Sequence, residues 1–158
     1  MRGQTHRYEA TLVWTGGTAQ AVPFGKHDRS YDLLSPGKPT IPGSSDAVFR
    51  GNPGRWNPED LLVASLSACH HLWYMGLCAA AGIVVRSYHD AAEGTMEEEA
   101  TGAGQFVRVT LRPRVTVAPG SDTEKALALH HAAHEKCFIA RSVNFPVEHV
   151  PVVEVATA

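Results

Sequence analysis

Two cysteines in unlike settings carry the clearest chemistry of this 158-residue chain. Cys69 lies deep in an apolar run that starts near Asn57, whereas Cys137 ends a charged, amphipathic stretch. One thiol that attacks an oxidant and a second that resolves the product are the minimum equipment for reversible two-electron redox chemistry. Thiol redox chemistry is therefore the first hypothesis. Its alternative is that Cys69 is a core residue, because free cysteines are among the most buried residue types.

The third cysteine does not fit the same site. Cys78 follows Cys69 by nine positions on one predicted helix, and 100° per residue places the two on opposite faces. Cys137 lies near a predicted helix C-terminus, where the helix dipole favours cations over a thiolate. A resolving thiol, which mainly has to reach its partner, fits that position better than an attacking thiol. We therefore assign Cys78 to packing.

The histidines offer a competing hypothesis. His130, His134 and Cys137 follow at i, i+4 and i+7, so they line one helix face. These side chains could hold three corners of a tetrahedral zinc site, with His70 or His71 as the fourth ligand. The alternative is a solvated helix face that happens to contain histidine. No close Cys-x-x-Cys pair or acidic ligand strengthens the metal reading.

Composition excludes several classes of protein. With 44% hydrophobic and 19% charged residues and a net charge of −2, the chain is neither disordered nor equipped to attract nucleic acid or anionic membranes. Three cysteines are too few for a secreted disulfide framework, and the first residues lack a signal peptide's apolar segment. No uncharged apolar run approaches the roughly 20 residues of a membrane helix. We expect a cytoplasmic single domain over residues 1–158, with no cofactor and no nucleic-acid or membrane partner.

The predicted elements alternate between strands and two helices. Asn57 is a preferred helix cap, and the helix it starts should run to about Ala81 with Gly82 as its C-terminal cap. A capping box at Ser121 opens a second helix that reaches about Lys136. Strands are predicted at residues 8–14, 84–89, 106–117 and 147–155, with one short strand near 48–50 in an otherwise extended loop. This order predicts an α+β fold in which antiparallel sheets pack around a long central helix and a second helix.

The first helix carries almost no charge after Leu61. A helix that is apolar all round must be buried on every side. In a domain of this size, we expect it to be central and shared with a partner subunit.

The residues around both cysteines resemble one protein family. The run from Asn57 to Leu62 reads Asn-Pro-Glu-Asp-Leu-Leu, and a small-residue helix then leads to Ser-Ala-Cys at Cys69. Together with Cys137 and the order of elements, this resembles the osmotically inducible protein C and organic hydroperoxide resistance family over nearly the whole chain. Thr18 follows the first glycine pair where the organic hydroperoxide resistance branch has its arginine. The chain therefore looks closer to the osmotically inducible branch.

This resemblance implies a thiol-dependent peroxidase that reduces organic hydroperoxides. By it, Cys69 is the peroxidatic thiol and Cys137 the resolving thiol, joined as a Cys69–Cys137 disulfide that an external dithiol, commonly a lipoyl group, reduces. The resemblance also implies an OsmC-like intertwined homodimer. A protein of this fold that binds a small apolar ligand without turnover is the alternative, beside the metal reading. His70 and His71 are bulkier and more polar than the family's usual residues, so His70 tunes the thiol, binds a ligand or merely packs.

The resemblance further assigns a glutamate and an arginine to the site. Glu59 matches the family glutamate that pairs with an arginine near the thiolate, and we favour Arg50 over Arg29 or Arg55 for that arginine. Glu59 and Cys69 are ten residues apart, about 15 Å along one continuous helix. They cannot meet within one chain, so we expect a site built where two such helices pack across a dimer axis.

Overall fold

The long apolar run forms the predicted helix in the computed structural model, which describes residues 3–17, 20–23 and 25–157. Helix α1 spans Pro58–Ala80. The Asn57 side chain accepts a hydrogen bond from the backbone N–H of Asp60 at 2.7 Å, and Gly82 follows the helix with φ of +72°. A positive φ at this position is the left-handed conformation that glycine adopts without steric cost. The predicted cap, span and terminal glycine are confirmed.

Residues 1–61 form the first of two compact units. It holds one antiparallel sheet in the order β1–β2–β3. These strands are Thr11–Trp14, Tyr31–Leu34 and Ile41–Gly43. The strand predicted near residues 48–50 is wrong. The Asp46 side chain caps the backbone N–H of Val48 instead, and a short 3₁₀ turn over Ala47–Phe49 ends at Arg50 with φ of +65°.

Residues 62–158 form the second compact unit. It contains helix α2, Thr123–Lys136, and two three-stranded sheets in the orders β4–β7–β9 and β5–β6–β8. The strands are β4 Val85–Asp90, β5 Glu93–Glu98, β6 Gly104–Leu111, β7 Pro113–Val117, β8 Val147–His149 and β9 Val152–Val155. Because the chain divides into these two units, a single domain over residues 1–158 remains a prediction.

The α+β fold class is confirmed, but the two sheets of the second unit are mixed rather than wholly antiparallel. Strand β8 lies parallel to β6, and β9 lies parallel to β7. Both late strands follow α2, which returns the chain so that they run in the direction of their neighbours. Helix α2 itself is capped by Asp122, whose carboxylate accepts the backbone N–H of Lys125 at 2.9 Å, rather than by Ser121.

The core of the second unit consists of two apolar clusters. One contains Tyr74 and Cys78 of α1 with side chains of β7 and α2, and the other joins Leu66 of α1 to β6. The alternation of residues 106–117 predicts a core of Phe106, Val109, Leu111, Val115 and Val117. The last four are buried, whereas Phe106 is only half-buried. Cys78 is 1% exposed, as expected for a packing residue.

Helix α1 is buried on one face only. Its buried residues, Leu66, His70, Tyr74 and Cys78, follow at intervals of four, while Leu72 on another face is 70% exposed. The expectation of burial on every side is therefore wrong for a single chain. By length and composition α1 could also cross a membrane, contrary to the expectation above, with a mean hydropathy of 1.3 over its most apolar window. Core helices of soluble proteins meet the same criterion.

Candidate active site

The structure brings Cys69 and Cys137 together. Cys69 is half-buried on α1, and Cys137 is the C-terminal cap residue of α2, with 1% of its surface exposed. The side chains of Cys137 and Cys69 lie close enough to interact. The Cys137 sulfur also accepts the backbone N–H of Ala140 at 3.4 Å. Both residues are free thiols. Two residues that are distant in sequence thus form one dithiol pair.

The two thiols differ in environment. Burial raises the pKa of Cys137 to about 11, and its interaction with the Cys69 side chain acts in the same direction, while the Ala140 N–H opposes both. The charged form of a thiol is disfavoured where water is excluded. Cys137 therefore keeps its proton at neutral pH and is a poor first nucleophile. Cys69, which is the more accessible thiol, is the one that a dissolved oxidant can meet.

Aromatic side chains lie beside the dithiol pair. Trp73 follows Cys69 by one helical turn and makes an edge contact with Phe138, with 5.7 Å between the ring centres. The Lys136 ammonium lies 5.8 Å from the centre of the Trp73 ring. Phe138 is 64% exposed, so an apolar surface adjoins the buried thiol. Such a surface is suited to contact with the organic part of a solute.

A second pair of side chains also links α1 to α2. His70 and His130 are both fully buried, and Nε2 of His70 lies 3.0 Å from Nδ1 of His130. Burial, followed by the nearby histidines, lowers the pKa of His70 to about 4 and that of His130 to about 3. Both rings are therefore neutral at neutral pH. The ring of His70 is hydrogen-bonded in the core, which sequence reasoning left open.

The predicted zinc face is not assembled. His130 turns to His70, while the His134 ring stacks on His149 with 5.1 Å between centres. Within residues 3–17, 20–23 and 25–157, no group of three or more His, Cys, Asp or Glu side chains could hold a metal ion. Sequence reasoning missed His149, because only the parallel pairing of β8 with β6 brings it to the histidines of α1 and α2.

The remaining predicted residues lie in the first unit. One carboxylate oxygen of Glu59 is buried and has no hydrogen-bond partner among the residues that the structure describes. Burial, with the charge of Glu59 as a second cause, raises the pKa of Tyr31. Over that same described part of the chain, no ion pair joins Glu59 to an arginine. The glutamate–arginine pair that the resemblance implies is thus not formed inside this unit.

The three candidate arginines are not equivalent. Arg55 donates to the Asp32 carboxylate at 3.4 Å and to the Tyr31 carbonyl at 3.2 Å, so its charge is already partnered. Arg29 and Arg50 both donate to the carbonyl of Gly25, at 3.5 and 3.4 Å. These two arginines also line a cleft of about 370 Å³. Arg50 and Arg29 therefore remain candidates to bind an anion.

These features define a class: an α+β protein with a buried thiol and a more accessible thiol paired where two helices meet. Residues 51–150 match the OsmC-like protein family, and the chain belongs to that family. No curated protein matches the chain.

Solved structures agree with this fold. An OsmC-like protein of unknown function from Vibrio cholerae is 27% identical, with a TM-score of 0.85 over 94% of this chain and all of that one. An organic hydroperoxide resistance protein from Elizabethkingia anophelis is 21% identical, with a TM-score of 0.67 over 97% of this chain and all of its own. Another, from Legionella pneumophila, is 18% identical, with a TM-score of 0.63 over 94% and 98% of the two chains.

Proposed function

We propose that this protein is a thiol-dependent peroxidase that reduces organic hydroperoxides to alcohols. The observation that carries the proposal is the proximity of the Cys137 side chain to that of the half-buried Cys69. Two thiols that interact in this way can complete a catalytic cycle without a metal or an organic cofactor. Family membership and the two structural neighbours named as organic hydroperoxide resistance proteins support the same reaction class.

The reaction has two chemical steps within the protein. The Cys69 thiolate attacks the terminal oxygen of the hydroperoxide, the O–O bond breaks, and the alkoxide takes a proton to leave as the alcohol. Cys69 is then a sulfenic acid. Cys137 attacks its sulfur, the S–O bond breaks, and the hydroxyl leaves with the Cys137 proton as water. An external dithiol, for which a lipoyl group is the proposed source, reduces the resulting Cys69–Cys137 disulfide.

Exposure and pKa favour this assignment of roles over its reverse. Cys137 is almost completely buried, and its raised pKa keeps it protonated until Cys69 has been oxidised. An attacking thiol has to meet the dissolved peroxide, and Cys69 is the more accessible of the two thiols. The exposed aromatic surface at Phe138 favours a substrate with an apolar organic group over hydrogen peroxide.

We also propose that the active protein is a homodimer. Two features support a partner copy: the exposed apolar face of α1 at Leu72, and a carboxylate oxygen of Glu59 that has no partner among the described residues. Glu59 lies ten residues before Cys69 on one continuous helix, so the two cannot meet in one chain. In this proposal, Glu59 and Arg50, with Arg29 as the alternative arginine, complete the site around Cys69 of the partner subunit. A guanidinium there would steady both the thiolate and the peroxide oxygens.

Consumption of cumene hydroperoxide with a lipoyl dithiol as reductant tests the peroxidase. We expect wild type to turn over and Cys69→Ser to lose roughly a thousandfold or more of that rate, because the nucleophile is removed. Cys78→Ala is the matched control, since Cys78 packs in the core away from the dithiol pair. Wild type without turnover would overturn the proposal and leave binding of an apolar ligand as the function. Retained activity in Cys69→Ser would overturn the role of Cys69.

A further inference from the structure

A buried pair of imidazoles joins the same two helices that carry the thiols. His70 directly follows Cys69 on α1, and His130 precedes Cys137 by seven residues, about two turns of α2. Besides their 3.0 Å hydrogen bond, the two rings lie in nearly parallel planes, 6° apart, with 5.3 Å between their centres. The imidazole pair is therefore a second contact between α1 and α2, beside the dithiol pair.

Aromatic side chains pack around the imidazole pair. Tyr74 stacks on His130 with 3.8 Å between ring centres, and His149 of β8 tilts against His70 at 5.7 Å. The titratable side chains around the pair are imidazoles and phenols: His71 and Tyr74 on α1, His131 and His134 on α2, Tyr88 on β4 and His149 on β8. None of these side chains supplies a negative charge that would favour an imidazolium, so both rings stay neutral. One ring nitrogen donates the hydrogen bond, and the facing nitrogen of the other ring accepts it.

We propose that the hydrogen bond between His70 and His130 positions Cys137 against Cys69 for the resolving step. This inference rests on the proposed peroxidase function. Disulfide closure is sensitive to geometry, because the two α-carbons have to approach to roughly 5.5 Å and the sulfurs to about 2.05 Å. A side-chain bond at 3.0 Å between the helices restricts sliding of α2 along α1. His70 and His130 act through the thiols they position and touch no reacting atom.

Substitutions at His130 separate the hydrogen bond from the bulk of the ring. His130→Leu keeps an apolar side chain but removes the nitrogen, whereas His130→Asn places a polar amide atom at the position of Nδ1. His131→Leu is the matched control, since His131 lies next in sequence but its side chain is 72% exposed. His70→Leu and His70→Gln form the equivalent pair on α1, because the Gln amide reaches the position of Nε2.

Reduced protein is treated with one equivalent of cumene hydroperoxide, quenched with an alkylating agent and followed by intact mass. We expect His130→Leu to form the Cys69–Cys137 disulfide at least tenfold more slowly than wild type. With excess peroxide, it should accumulate the sulfinic acid, because an unresolved sulfenic acid oxidises further. His130→Asn should stay within threefold of wild type, and His131→Leu should match it. Thermal melting confirms that each variant is folded, and the His70 pair replaces any His130 variant that is not.

Two results would overturn the positioning role. One is a wild-type rate of disulfide formation in folded His130→Leu, and the other is an Asn variant as slow as the Leu variant. If the His130 ring served only to fill space, His130→Asn would not restore the rate of disulfide formation that His130→Leu loses.

Oxidation of the dithiol pair by diamide tests the positioning contact separately from the peroxidase activity, because no hydroperoxide is needed to close the disulfide. One thiolate adds to its N=N bond, and the second thiol then displaces the reduced hydrazine as the S–S bond forms. Faster closure in wild type than in His130→Leu would support the positioning contact even if no hydroperoxide were consumed. Equal closure rates would overturn it, whatever the peroxidase assay shows.

Discussion

The two compact units bury their apolar side chains to very different extents. In the second unit, Leu66, Val109 and Val117 have no exposed surface, and they belong to clusters that join α1 to the sheets. In the first unit, the described buried residues are Gly43, Ser44 and Asn57. Its large apolar side chains stay open to solvent, with Leu12 59% and Trp14 50% exposed. The second unit thus has a core of its own, whereas the first is a sheet with little to bury.

This difference matches the chemistry that each unit carries. The dithiol pair and the imidazole pair lie in the well-packed unit, where distances between side chains are fixed by surrounding contacts. Glu59, Arg29 and Arg50 lie in the poorly buried unit, and in that unit none of the three forms an ion pair within its described residues. Large apolar side chains that stay exposed together are typical of a protein interface. The comparison therefore supports a second copy as the element that completes the first unit.

The sharpest test of this comparison replaces one leucine in each unit with alanine. Leu66→Ala should lower the free energy of unfolding by about 3 to 5 kcal/mol, because it leaves a cavity beside Val109 and Leu111. Leu12→Ala, at a side chain that is 59% exposed, should cost less than about 1 kcal/mol. Urea titration followed by circular dichroism measures both. Equal losses at the two positions would mean that the first unit has a core comparable to the second.

A charge on the exposed face of α1 tests whether a second copy covers it. Leu72→Glu should weaken dimerisation by about 2 to 3 kcal/mol, roughly a hundredfold in Kd, because a carboxylate would lose its hydration in the interface. Leu127→Glu on α2, where the side chain is 46% exposed, is the matched control. Sedimentation equilibrium gives both constants. A monomeric wild type with full peroxidase activity would contradict the dimer proposal.

Acid should destabilise the better-packed unit. The folded-state pKa values of His70 and His130, about 4 and 3, lie below the value of 6.5 expected for an unfolded histidine. Between these values the unfolded chain binds more protons, so stability is complete above pH 6.5 and falls as the pH drops towards 4. From pH 7 to 5 we expect a loss of about 2 kcal/mol for each of the two histidines, about 4 kcal/mol for the pair.

Urea titrations at the two pH values, repeated with His130→Asn, check this expectation. The variant has one buried imidazole fewer, so its loss of stability between pH 7 and 5 should be smaller than that of wild type. An identical loss in both proteins would place the acid sensitivity elsewhere in the chain.

The sequence predicted some elements well because their signals are local. The Asn57 cap, the acidic first turn and Gly82 lie within a few residues of the helix ends they specify, so α1 was found with its boundaries. Strands β2, β3 and β5 were missed, and a 3₁₀ turn stands where a strand was expected at 48–50. A three-residue strand carries little periodicity, and its pairing partner decides whether it forms. The same holds for β8 and β9, whose parallel pairing has no sequence signature.

By itself, the sequence determined the two candidate thiols, the α+β class, the long apolar helix and, through the motif at Asn57 and Cys69, the family. These properties depend on residue types and on spacing within one element. Only the tertiary structure decided that Cys137 lies against Cys69, that His130 bonds to His70 rather than to a metal, and that His149 joins them. The physical reason is that contacts between elements depend on how helices and sheets pack. Residue spacing within one element does not reveal which side chain of another element a given ring or thiol will contact.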